Sequence, residues 1–184
     1  MQSSNKWQQL KQTIANCQLC SLAKTRKNVV FGAGNFNCKL VIVGEAPGQQ
    51  EDAIGQPFIG RSGQLLTLML KSINIKRDEI FITNILKCRP TNNRDPQQNE
   101  INSCTPYLNQ QLAILQPKLI VALGRIAAQF LLKNKQSLAN LRSKIHYYNN
   151  IPLITTYHPA YLLRAPAQKA KSYQDLLFIQ KNLI

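Results

Sequence analysis

Carboxylates are scarce in this chain of 184 residues: eight Asp and Glu stand against 23 Lys and Arg, a formal net charge of +15. A surface so poor in acid suits a polyanion, nucleic acid above all, and not a cationic partner. Long apolar runs are missing as well. None approaches the roughly 20 residues that a bilayer span requires, and the opening MQSSNKWQQLKQ holds no apolar core of a secretory signal. No membrane association is expected, and a cytoplasmic, nucleoid-associated location is. The chain has neither a Gly-Lys-Ser/Thr phosphate loop nor G-x-G-x-x-G. Internal repeats, low-complexity tracts and long linkers are absent too. With 44% apolar residues there is core enough for one domain over residues 1–184, and two would be a squeeze.

The few acids are oddly placed. Three of the eight, Glu45, Glu51 and Asp52, fall within one eight-residue stretch. Carboxylates clustered on a molecule built to attract phosphate oppose that attraction, so they are expected to have a specific job. Five cysteines without a signal peptide point to a reducing compartment, where thiols serve metals or catalysis more than disulfides. Cys17 and Cys20 form a C-x-x-C knuckle, while Cys88 and Cys104 have fifteen residues between them. Four thiolates suit tetrahedral zinc or an iron–sulfur cluster. A zinc ribbon pairs two tight knuckles and this chain has one, which favours a cluster. Cys38, opening a strand, reads as a small core residue.

Four short apolar runs recur, each ending in something polar or Gly-rich. They are Lys39–Val43 before Gly44-Glu45-Ala46-Pro47-Gly48, Glu79–Ile82 before Thr83-Asn84, Lys118–Leu123 before Gly124-Arg125, and Ile151–Thr156 before Tyr157-His158-Pro159. Such runs read as buried parallel strands. Helical patterns precede, separate and follow them at residues 4–16 (Trp7, Leu10 and Ile14 on one face), Ser62–Ile73, Pro96–Leu115, Ile126–Leu132 and Lys169–Asn182. The alternation predicts a single-domain three-layer α/β/α fold around a central, mainly parallel four-stranded sheet. Ligands of such sheets bind outside the strands' carboxyl ends, so Glu45, Asn84 and His158 are expected to converge on one cleft.

Each residue type suits a task there. Gly44 lets backbone approach a ligand closely. Phe58, in the loop Gly55-Gln56-Pro57-Phe58-Ile59-Gly60, offers a ring to stack on a base. The amide of Asn84 carries both a donor and an acceptor for a pyrimidine edge. His158, pinned by Pro159, is placed to stabilise developing negative charge. Leu162 and Leu163, beside Arg164, read as a wedge for a base stack or as packing onto the sheet. Lys24, Arg26, Lys27, Lys87, Arg89, Arg94, Arg164 and Lys169 are expected at phosphates, and His146 reads as a surface or packing histidine.

Together these pieces resemble the family-4 uracil-DNA glycosylases. The match runs from Cys17 to about Leu177 and comprises C-x-x-C, GEAPG-x-x-ED, G-x-PF-x-G-x-SG, TN-x-x-KCRP, NR-x-P, S-C-x-PYL, PK-x-IV-x-LG and TYHPAYLLR. The resemblance implies a [4Fe–4S] cluster on Cys17, Cys20, Cys88 and Cys104, leaving Cys38 out. It implies hydrolysis of the N-glycosidic bond of deoxyuridine in single- or double-stranded DNA by a monomer, leaving an abasic site. Gly44, Ala46, Glu51, Phe58 and Asn84 would form the uracil pocket, with Glu51 shaping its floor. Glu45 and His158 would be catalytic, Glu45 toward water or the cationic sugar and His158 toward uracil O2. Leu162, Leu163 and Arg164 would hold the vacated stack. Ala46 falls where the best-studied glycosylases carry an aspartate, so leaving-group stabilisation is expected to carry much of the rate. Gln49-Gln50 replaces acids common in relatives.

Overall fold

The computed structural model describes residues 2–183, with side chains from Ser4 onward. In chain order the elements are α1 (Gln2–Ala15), β1 (Ala33–Gly34), β2 (Leu40–Gly44), α2 (Gln49–Ile54), α3 (Arg61–Lys71), β3 (Phe81–Asn84), α4 (Gln98–Leu115), β4 (Leu119–Leu123), α5 (Gly124–Leu132), α6 (Leu138–Leu141), β5 (His146–Tyr148), β6 (Ile151–Thr156), α7 (Pro159–Arg164) and α8 (Lys169–Asn182). The strands form one sheet in the order β1-β3-β2-β4-β6-β5. The four expected strands are its parallel centre: β2 pairs with β3 and β4, and β4 with β6.

The sheet has six strands where the sequence pattern gave four. The additional two, β1 and β5, pair antiparallel at the edges. Neither carries an apolar run: β1 is two residues inside a glycine-rich turn, and β5 is His146-Tyr147-Tyr148. Short edge strands need only pairing, not burial on both faces, so hydrophobic patterning does not announce them.

Alternation along the central strands builds two cores. Val41, Val43, Ile120 and Ala122 face one side, where they meet Leu10 and Ile14 of α1, Leu108 and Leu112 of α4 and Leu131 of α5. Leu40, Ile42, Leu119 and Val121 face the other, against Leu66, Met69 and Leu70 of α3, Leu162 of α7 and Leu176 and Ile179 of α8. The i, i+3, i+4 spacing of the α3 residues is what lets one helix stripe cover the sheet. Helices thus lie on both faces, and the three-layer α/β/α arrangement follows. Among the described residues no helix is long and apolar enough to cross a membrane.

From β2 the chain steps to β3 on one side and later to β4 on the other. The crevice at the carboxyl ends of β2 and β4 is therefore the topological switch point, where ligands bind. Local chemistry fixes the turns around it. In α4 the Glu100 carboxylate accepts the backbone N–H of Gln97 at 2.8 Å, and Arg94 pairs with the same carboxylate. Helix α7 opens on Pro159, whose missing N–H costs nothing at a helix start.

Candidate active site

A cavity of about 420 Å³ opens at the switch point, and its walls include Glu45, Ala46, Glu51, Phe58, Asn84 and His158. The convergence expected from the strand ends therefore holds. Gly44 acts from behind: a Cβ there would run into Asn84 Oδ1 and come within 2.7 Å of Phe58 Cζ. Glycine at the end of β2 is what lets the amide and the ring stand side by side.

Asn84 is 1% exposed, and its Oδ1 has no hydrogen-bond partner. Buried polar atoms are nearly always paired, so an orphan acceptor on a cavity wall is left free to take a donor from whatever enters. Phe58 was expected as an exposed ring; it is instead 5% exposed, with a backbone φ of 51°. Only its cavity edge is free, and the loop is held by Glu51, whose Oε1 accepts the N–H groups of Ile59 and Gly60, both at 3.1 Å. Asp52 similarly accepts from Lys27 N at 3.0 Å, and Asn28 Nδ2 donates to its backbone oxygen at 2.8 Å. Two of the three clustered acids, Glu51 and Asp52, are thus buried anchors of backbone.

His158 caps α7: its Nδ1 accepts the Ala160 N–H at 3.1 Å. A neutral ring whose Nδ1 accepts must carry its proton on Nε2, so Nε2 is a donor. Burial, reinforced by Arg164 and opposed by Glu51, pushes the His158 pKa down to about 4. The ring lies 5.5 Å from that of Phe58, centroid to centroid. Gly124 (φ +86°) makes room for it, since a Cβ there would sit 2.8 Å from His158 Cβ. The preceding residues are latched from α8. Asp175, fully buried, accepts from Thr156 Oγ1 at 2.7 Å and from Arg142 Nε at 2.6 Å, and the Arg142 guanidinium covers the Tyr157 ring at 4.4 Å.

Glu45 is half-buried. Desolvation, then the charge of Asp95, raises its pKa to about 7 against the opposing pull of Arg125. Asp95, Asn93 and Tyr161 also line the cavity and were missed as site residues, and Arg94, expected at a phosphate, lines it too. They sit in NR-x-P and TYHPAYLLR, so motif membership was the available signal, but no strand end pointed to them.

Three basic or apolar assignments need correction. Lys87, expected at a phosphate, is 1% exposed, its Nζ donating to Thr83 Oγ1, the Asn84 carbonyl oxygen and Gln111 Oε1, each at 2.7 Å. A lysine inside KCRP looks like its basic neighbours in sequence, and only the packing of α4 over β3 distinguishes it. Arg94, also expected at a phosphate, is neutralised by the buried Glu100 carboxylate. Leu162 is 1% exposed and belongs to the sheet core, whereas Leu163 is 39% exposed; the six residues of α7 aim consecutive leucines in different directions. Lys24, Lys27, Arg164 and Lys169 are exposed. Arg89 donates to Asn93 Oδ1 at 2.8 Å, and His146 Nε2 lies 2.8 Å from the Leu141 carbonyl oxygen, a packing role.

The four cysteines belong to the core on one face of the sheet. Cys17 follows α1, Cys20 precedes a short 3-10 turn, Cys88 follows β3 and Cys104 lies in α4; all are free thiols. Cys88 and Cys104 lie in the core, with Cys17 and Cys20 packed against it. Burial pushes the Cys88 thiol up, offset by Arg26, whose Nη1 is 3.4 Å from Sγ. Burial raises Cys104 to about 11. Thiols so buried keep their protons unless a metal displaces them, and Arg26 and Lys87 stand ready to offset the resulting negative charge. Among the described residues no three His, Cys, Asp or Glu side chains are gathered tightly enough for a single metal ion. Cys38 is buried at the start of β2, apart from this set.

The family model of the uracil DNA glycosylase superfamily matches residues 31–178. A type-4 uracil-DNA glycosylase of Pyrobaculum aerophilum is 44% identical over 177 residues, covering 92% of this chain and 90% of the relative. Type-4 uracil-DNA glycosylases of Archaeoglobus fulgidus and Thermotoga maritima are each 42% identical; they cover 88% and 82% of this chain, which in turn covers 85% and 80% of them. The chain belongs to the uracil DNA glycosylase superfamily, among its type-4 members.

Proposed function

We infer that this chain is a monofunctional uracil-DNA glycosylase that flips uracil out of DNA and hydrolyses its N-glycosidic bond, leaving an abasic site for base-excision repair. The observation that carries the reading is the buried, unpartnered Asn84 Oδ1 on the wall of a cavity that also holds a neutral His158. Uracil has an N3–H to give that oxygen and an O4 to accept from the amide N–H. Cytosine reverses both and would leave buried polar groups unpaired, which is how a site rejects a near-isostere strongly.

A base inside a duplex is out of reach, so flipping precedes chemistry and costs a few kcal/mol. Leu163, not Leu162, is the wedge available to fill the gap, with Arg164 beside it. Phe58 stacks on the extruded base. As C1′–N1 breaks, its electron pair passes to the uracil ring, and His158 Nε2–H donates to O2 where charge accumulates. A neutral donor suits an anionic leaving group whose own acidity is modest, since the proton stays shared and need not be given up. Water then bonds to C1′ of the cationic sugar and sheds a proton to solvent, and the released uracil anion takes one up. Ionised Glu45 orients that water and stabilises the sugar's charge. Glu51 holds the Phe58 loop and thereby shapes the pocket.

We propose further that Cys17, Cys20, Cys88 and Cys104 hold a [4Fe–4S] cluster. Four thiols of one packed cluster, two buried and two half-buried, with Arg26 at the Cys88 sulfur, suit a thiolate-bound anionic group. Those four residues would tie the segment after α1 to the loop after β3 and to α4 if they held such a group. We also propose that the whole chain works as a single domain and a monomer, in the cytoplasm near the nucleoid.

The test is a labelled oligonucleotide carrying one uracil opposite G, opposite A or unpaired, incubated with protein without magnesium or nucleotide and then treated with alkali. A strand break at uracil only after alkali is the expected result, and the three contexts rank the substrates. No break, from protein with iron and sulfide bound, would overturn the reading in favour of a non-catalytic DNA-binding module.

A further inference from the structure

Lys87 is fully buried, yet it sits where a Met or Leu would pack more cheaply, because an ammonium taken out of water is costly unless every proton is bonded. Its three hydrogen bonds all go to neutral oxygens: the hydroxyl of Thr83, the backbone carbonyl of Asn84 and the side-chain amide of Gln111. Two of the three belong to the last two residues of β3. Gln111, itself fully buried, is fixed in turn by donating from Nε2 to the Phe31 carbonyl at 2.8 Å.

The backbone after Asn84 is tied from the opposite side. Ile85 N donates to the Gly44 carbonyl and Leu86 N to the Glu45 carbonyl, both at 3.0 Å. The Asn84 peptide is therefore held between β2 and the Lys87 ammonium, while its side-chain oxygen is left unpaired toward the cavity. A frame fixed on both sides around one unsatisfied amide is what preorganised recognition requires.

We propose that Lys87, seated on Gln111, is a positioning residue for base recognition: it clamps the carboxyl end of β3 so that the Asn84 amide meets the base in a single pose. This rests on the reading of Asn84 as the group that selects uracil. Lys87 touches no reacting atom, and its effect on base recognition passes through Asn84.

A double-mutant cycle tests it, since residues acting as one unit are non-additive. Single-turnover excision from a uracil oligonucleotide is measured for the wild type, Lys87→Met, Asn84→Ala and the double variant, with iron and sulfide content and melting temperature measured for each. Lys87→Met is expected to slow excision about tenfold or more with DNA affinity unchanged, and to cost less than about twofold in the Asn84→Ala background. Equal losses in both backgrounds would overturn the proposal and leave Lys87 a structural residue, whatever happens to cluster content. Gln111→Leu runs the same cycle with the lysine kept, and it decides the matter where Lys87→Met does not fold. Asn84→Ala at the wild-type rate would instead remove the uracil-selection reading on which the proposal stands.

Discussion

At neutral pH His158 carries no charge and Glu45 is half-titrated, and both facts have measurable consequences. The His158 pKa is depressed from 6.5 to about 4. Between those values the unfolded chain binds a proton that the folded chain refuses, so stability falls as pH drops from about 6.5 toward 4. Glu45, raised from 4.5 to about 7, opposes that decline over the same range, so the His158 share is read from urea unfolding of wild type and His158→Phe side by side: from pH 7 to pH 5 the wild type should fare worse than the variant. Excision should show no acid limb from this ring above pH 5. Replacing His158 by Ala should lower the single-turnover rate by about 10²–10³, the cost of losing one donor to a developing anion, with little change in DNA affinity. Glu45 titrates the other way. Raised to about 7, it is protonated below that value, and the ionised form, to which we assign the water, appears above it. The rate should therefore rise through pH 7 and level off, and Glu45→Gln should lose the rise. Asp95→Asn should move it to lower pH, because the Asp95 charge is one of the causes holding the Glu45 proton on. A profile unchanged in Asp95→Asn would count against the coupling of these carboxylates.

Helix α7 divides its two leucines between tasks. Leu162 lies in the sheet core, and its truncation to Ala should cost about 2–5 kcal/mol of stability. Leu163 faces outward, so Leu163→Ala should leave the melting temperature near that of the wild type and slow excision from duplex DNA more than from single strands, where no stack needs holding open. Equal slowing on both substrates would deny it a wedge role. The sequence could name the pair but not separate it, because the turn that sets the phase of so short a helix is made by His158 and Pro159 and by packing on α3. The parallel strands were legible because each is an unbroken Val/Ile/Leu run closed by Gly, Asn or His, and their carboxyl ends located Glu45, Asn84 and His158 at once. What stayed hidden was tertiary: the edge strands and the burial of Lys87 beneath α4, which join segments that no local pattern relates.

Across the whole molecule the net charge of +15 is spread over exposed residues such as Lys24, Lys27, Arg164 and Lys169. Binding to duplex DNA should weaken with salt at a log–log slope of about −0.9 per phosphate neutralised. Arg164→Ala should reduce that slope by about one and weaken binding to all sequences alike; a slope unchanged from the wild type would move Arg164 off the DNA. The sheet itself ends on two strands of only two and three residues, β1 and β5. A long open edge is a template on which a second chain can zip, and abbreviated antiparallel edges blunt it. A polyanion gathers many copies of a basic protein along one strand, at local concentrations far above those in free solution. Such crowding would turn a sticky edge into fibres, and the clipped margins of this sheet let the copies lie side by side on DNA without fusing.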